Sequence, residues 1–276
     1  MQRSYHVLDQ DNFAFLNRQD DFYITLLNKM FFLLEDVTDS NYATRTDELL
    51  EVAKGLSIYS DRDTEELFGH IDKQENVLYV AAVYYLTGYE AIASLLLKAC
   101  NLQSVNNVYG RLLAYLILGG KEDYPETDDE SEQNLIENLD AFLSFGIEDM
   151  LHKVTGEIEG RCERMDFASL DEFFDGYVLK HVLRKFAGDN LWYDLERADP
   201  DVDWRDYVDY SRSQGILQFL PSQRDAIQKG LLTYERSFSL KMPTSAGKSY
   251  ITELLIYVNY ERMRKPRCCI WLHYAH

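Results

Sequence analysis

Met242-Pro243-Thr244-Ser245-Ala246-Gly247-Lys248-Ser249 decides how the second half of this chain is read. The residues leading into it, Arg236 to Met242, predict a strand. Those that follow, Gly247 to Arg262, carry Ile251, Leu254, Leu255, Ile256 and Val258 in a strong helical pattern. Cys268 to Leu272 predicts a second short strand. Strand, tight loop, helix and strand make a βαβ unit, and parallel pairing across such a crossover is expected. The loop itself has the chemistry of a phosphate cradle. Backbone N–H groups of Ser245, Ala246, Gly247, Lys248 and Ser249 would converge on a triphosphate, with the positive end of the helix dipole behind them. Gly247 lets the backbone approach closely, because it has no side chain to collide with the phosphates. Lys248 would reach the β- and γ-phosphates, and the Ser249 hydroxyl would ligate Mg²⁺.

The general phosphate-loop pattern is G-x-x-x-x-G-K-[ST], and Met242 stands here at its first glycine. With that departure, Pro243-Thr244-Ser245-Ala246-Gly247-Lys248-Ser249 resembles motif I of the superfamily-two helicases of DEAD/DEAH-box type, a family that tolerates a non-glycine residue at the Met242 position. Upstream, Leu220-Pro221-Ser222-Gln223-Arg224-Asp225-Ala226-Ile227 resembles the segment in which that family reads adenine with a glutamine. A side-chain amide suits that task, since it can both accept from the adenine amino group and donate to a ring nitrogen. The resemblance spans roughly Gly215 to Leu272 and implies ATP and Mg²⁺ as cofactors. Gln223, Thr244, Ser245, Ala246, Gly247, Lys248 and Ser249 would form the nucleotide site, with Lys248 as the catalytic candidate and Ser249 as the metal ligand.

The first 210 residues read differently. Phe22 to Val37, Thr46 to Leu56, Asn76 to Leu86, Tyr89 to Asn101, Ser104 to Leu118, Ser131 to Phe145, Glu148 to Arg164 and Ser169 to Phe186 each predict a helix. Gly88 suits the left-handed end of the third, and Ser169-x-x-Glu172 forms a capping box. Gly188-Asp189-Asn190 breaks the pattern, and Asp199 to Asp209, with Pro200, predicts a hinge. Leu217 to Gly230 predicts a further helix opened by Pro221-Ser222. The expected fold is therefore a mainly α N-terminal domain over 1–200, a linker over 201–214, and the start of an α/β RecA-like phosphate-loop domain over 215–276 with an incomplete parallel sheet.

Charge follows the same division. The net charge is −19, yet Ser211 to His276 holds ten basic and four acidic residues, about +6. The remaining residues therefore carry about −25. The acidic part should repel a phosphate backbone and the basic part could meet one. Cys100, Cys162, Cys268 and Cys269 show no zinc spacing and fit a reducing, cytoplasmic setting. No run is long enough to span a membrane.

The resembled family also carries a D-E-x-[DH] motif, an arginine finger and a second motor domain, none of which occurs in this sequence. The expectation is the ATP-binding portion of an ATP-dependent helicase or translocase acting on DNA or RNA, unable by itself to hydrolyse ATP or unwind. The alternative is a non-catalytic helical module that binds a partner protein and carries a vestigial or truncated phosphate loop.

Overall fold

Apolar residues recur at three- and four-residue spacing through most of the chain, and each such run packs as a helix. The computed structural model describes residues 18–37, 42–60, 66–68, 71–100, 105–120, 125, 127–233 and 247–263. Helices α1 (Arg18–Asp36), α2 (Tyr42–Ser60) and α3 (Lys73–Leu86) pack side by side. Asn76 is buried where they meet. It accepts from Tyr23 Oη at 3.1 Å and donates to the Leu56 carbonyl at 2.9 Å, so its buried amide is satisfied by α1 and α2. Gly88, at φ +85°, ends α3 and returns the chain into α4 (Glu90–Lys98).

Helix α5 (Val108–Ile117) is started by Asn107, whose side chain accepts from Gly110 N at 2.8 Å. The start expected at Ser104 lies outside the described residues. Asp129 caps α6 (Glu130–Phe145) in the same way, accepting from Ser131 N at 2.9 Å and Glu132 N at 3.0 Å. Helix α7 (Glu148–Arg164) folds back onto α6. Helix α8 (Leu170–Asp189) is the central rod, buried on every side from Phe174 to Leu183 and in contact with α3, α5 and α7. Ser169 caps it through Glu172 N at 3.2 Å, while the Glu172 carboxylate returns to Ala168 N, one residue earlier than a capping box requires.

Two helices fill the stretch that reads as breakers. Asn190 both ends α8 and begins α9 (Leu191–Ala198). Its Nδ2 donates to the Phe186 carbonyl at 2.9 Å, and its Oδ1 accepts from Tyr193 N at 2.9 Å. Residues 205–213, inside the expected linker, form α10 (Arg205–Ser213), which buries Tyr207, Val208 and Ser211. Helix α11 (Pro221–Gln228), a 3₁₀ turn (Leu231–Thr233) and α12 (Lys248–Met263) follow. One contiguous apolar cluster runs from Tyr23 to Val258.

The expectation of an α/β RecA-like domain with an incomplete parallel sheet is overturned. The only β structure among the described residues is the antiparallel pair β1 (Glu66–Phe68) and β2 (Ile71–Asp72), far upstream in sequence. The physical reason lies in α12. Its buried stripe, Ile251, Leu254 and Val258, belongs to the common core, and its Tyr250 and Tyr257 meet aromatic rings rather than a sheet face. Tyr257 stacks on Trp204 with centroids 5.9 Å apart, and Tyr250 packs on Tyr207 at 5.8 Å and Phe219 at 5.7 Å. The strands expected at Arg236 to Met242 and Cys268 to Leu272 lie outside the described residues.

Candidate nucleotide site

Helix α11 begins with Pro221 at its first position, where a missing N–H costs nothing. Leu220 has no side-chain oxygen to cap it, and Gln223 makes only the reciprocal half of a capping box. Its Oε1 accepts from Leu220 N at 2.9 Å. The other end of the same amide donates from Nε2 to the Gly247 carbonyl at 3.1 Å. Gln223 is 3% exposed, so this bridge between α11 and the start of α12 is shielded from water.

Gly247 has φ +64°, the left-handed region in which a side chain is strained. Its space is also taken, since a Cβ there would sit 2.3 Å from Gln223 Nε2. The Gly247 carbonyl accepts from Tyr250 N at 3.1 Å and Ile251 N at 3.3 Å, which starts the helix. Lys248 and Ser249 stand exposed on the first turn, where N–H groups have no intrahelical acceptor. Met242, Pro243, Thr244, Ser245 and Ala246 lie outside the described residues. The structure therefore brings Gln223, Gly247, Lys248 and Ser249 to one place.

The donor set suits a nucleotide-borne Mg²⁺ rather than a dedicated metal cage. Mg²⁺ on a nucleotide needs one or two protein oxygens besides phosphate and water, and the exposed Ser249 hydroxyl can be one. No cluster of three His, Cys, Asp or Glu able to hold a metal occurs among the described residues.

What sequence reasoning missed is the anchorage behind Gln223. Arg224 donates from Nε to Asp194 Oδ2 at 2.8 Å and from Nη2 to the Asp189 carbonyl at 2.5 Å, and its Nη1 lies 2.8 Å from Asp189 Oδ1. Asp189 also pairs with Lys185 at 2.6 Å, which in turn reaches Glu90 at 2.9 Å. Burial pushes the Asp194 carboxyl up, against the opposing pull of Arg224. Burial works against the Arg224 charge, but Asp194 and Asp189 together hold it above its ordinary value. These partners stand 30 and 35 residues from Arg224, and no local spacing marks them.

Other cations counted in the basic segment also face the helical body. Arg212 binds Asp140 at 2.6 Å, Ser144 at 2.9 Å and the Tyr115 hydroxyl at 3.1 Å, and Arg262 pairs with Asp199. Helix α12 is tied to α10 by Tyr250 Oη donating to Ser211 Oγ at 2.8 Å, and to the segment before α10 by Tyr257 Oη donating to the Asp203 carbonyl at 2.5 Å. Burial pushes both phenols up to about 12.

No helix among the described residues is long and apolar enough to cross a membrane. Comparisons with protein-family models, with curated proteins and with solved structures return no match to this chain.

Proposed function

We propose that this chain binds Mg-ATP at residues 242–249 and is the nucleotide-binding part of an ATP-dependent helicase or translocase that moves on DNA or RNA. The observation that carries the reading is the meeting of Gln223 with Gly247, directly before the exposed Lys248 and Ser249. Two segments singled out by the same family resemblance, 24 residues apart, share one hydrogen bond. The start of α12 points a positive dipole end and its first N–H groups towards any phosphate bound there. Lys248 adds a mobile point charge, and Ser249 an oxygen for the metal. The Gln223 amide, buried and bonded to Leu220 N and to the Gly247 carbonyl, ties the start of α11 to the residue before Lys248.

The test is equilibrium binding of Mg-ATP to the chain and to its Lys248→Ala variant. Loss of a charge-assisted phosphate contact weakens binding by roughly tenfold to a hundredfold. Equal affinity in the two proteins would end the proposal.

A further inference from the structure

We propose that Glu35, Lys180 and His181 form an acid-sensitive clamp between α1 and α8: protonation of His181 sets a second buried cation beside Lys180 with one carboxylate to answer both, and the C-terminal end of α1 loosens. The clamp is independent of the nucleotide reading.

Lys180 and His181 are neighbours on the central rod α8, and both are buried. Their side chains reach the same atom, Glu35 Oε1 in the last turn of α1. Lys180 pairs with it directly and also lies over the Tyr177 ring, 4.2 Å from its centroid. His181 Nε2 stands 3.6 Å from it, outside hydrogen-bond reach, and has no hydrogen-bond partner among the described residues. Burial, against the pull of Glu35, holds the imidazole below its ordinary value, and Lys180 adds to the fall. Glu35 stays ionised throughout, since His181 and Lys180 hold its carboxyl well below the usual range despite burial.

The other groups around this end of α8 are engaged elsewhere. On α7, Glu159 pairs with Arg184 at 2.7 Å, and burial pushes the Cys162 thiol up to about 11, so it carries no charge. Asp36, beside Glu35, pairs with Arg45 of α2. Glu75 and Tyr79 of α3 lie with Asp175, earlier on α8, and Tyr109 of α5 is bonded to Arg161. A second cation at His181 therefore shares Glu35 with Lys180. Little else polar holds this end of α1 to α8. Phe31 stacks on Phe174 with centroids 5.2 Å apart and meets Tyr177 edge-on at 5.1 Å, and Tyr177 Oη donates to the Phe31 carbonyl at 3.4 Å. Tyr177 is common to this contact and to the clamp, so a disturbed clamp reaches both.

The direction of the pH effect follows. An unfolded chain charges its histidine near pH 6.5, while the folded chain resists. The contribution of neutral His181 is complete above that value and is lost as pH falls below it.

The test measures hydrogen-exchange protection factors, which remove the intrinsic pH dependence of exchange, in the full chain at about pH 7.5 and about pH 5.5. Amides of residues 30–36 are expected to lose protection by up to about tenfold in the parent and to change much less in His181→Gln, which carries no charge at either pH. Comparing the two proteins cancels Asp175, whose own effect runs the other way. A titration of the His181 ring by NMR carries the test if His181→Gln does not fold. Its midpoint should lie below 6.5 and move up in Lys180→Met, which removes the competing cation. An equal loss of protection in parent and His181→Gln overturns the clamp. So does a loss spread evenly over α1, α7 and α12, or a His181 midpoint at or above 6.5.

Discussion

Gln223 Nε2 donates to the carbonyl of Gly247 at 3.1 Å, so the side chain that opens α11 also touches the residue that opens α12. This contact explains why residue 247 must be small as well as left-handed. Gly247→Ala is expected to destabilise the fold by about 1–3 kcal/mol, part from φ and part from the Cβ pressing on Gln223. The two parts separate in a double-mutant cycle. Gly247→Ala should cost less in a Gln223→Ala background, where only the φ cost remains. Equal cost in both backgrounds, measured by denaturant titration, would show that the close approach has no energetic weight.

Asp175 carries the second prediction. It is wholly buried on α8, and Asn107 Nδ2 donates to it at 2.7 Å. Burial pushes its carboxyl up to about 7, more strongly than Asn107 pulls it down. A carboxyl raised in this way holds its proton in the folded state after the unfolded chain has released it. Its contribution to stability is therefore complete below about pH 4 and is lost as pH climbs towards 7. Asp175→Asn should be more stable than the parent near pH 8, by on the order of 4 kcal/mol, and gain much less near pH 4. Parallel stability curves for the two proteins would contradict this.

The docking of α12 gives the third. Trp204 stacks on Tyr257, and its indole Nε1 donates to the Asp199 carbonyl at 2.9 Å. Trp204→Ala should cost about 3–5 kcal/mol and release α12 before the rest of the body. Tyr250→Phe, which removes the hydroxyl that donates to Ser211, should cost about 1 kcal/mol. Hydrogen exchange read helix by helix checks both. Amides of residues 251–258 should lose protection first in Trp204→Ala, and unchanged protection there would refute the local account.

The helices of the body were legible because their apolar spacing is dense and their ends carry local chemistry. The run Glu148 to Arg164 is α7 residue for residue. Helices α9 and α10 were not legible, because Gly188, Asn190 and Pro200 look like breakers in sequence. In the structure Gly188 lies inside α8, and Asn190 serves two helices at once. The sheet was expected from a helix whose apolar residues could face either strands or other helices. Periodicity does not distinguish these partners, and the rings of Trp204 and Tyr207 provide the second kind. At the site, family resemblance named Gln223 and Gly247, but only the folded chain shows their contact. Arg224 drew no attention because an arginine on a short helix acquires its meaning from Asp189 and Asp194, and those are distant in sequence.

The inward ion pairs of Arg212, Arg224 and Arg262 have a kinetic consequence. A cation closed against a carboxylate contributes little to the potential felt a Debye length away. With these three closed, the net charge of −19 dominates what an approaching polyanion meets at long range. Encounter with single-stranded nucleic acid should then speed up as salt is added from a low starting level, the reverse of ordinary electrostatic steering. Stopped-flow association rates against ionic strength would register that sign directly.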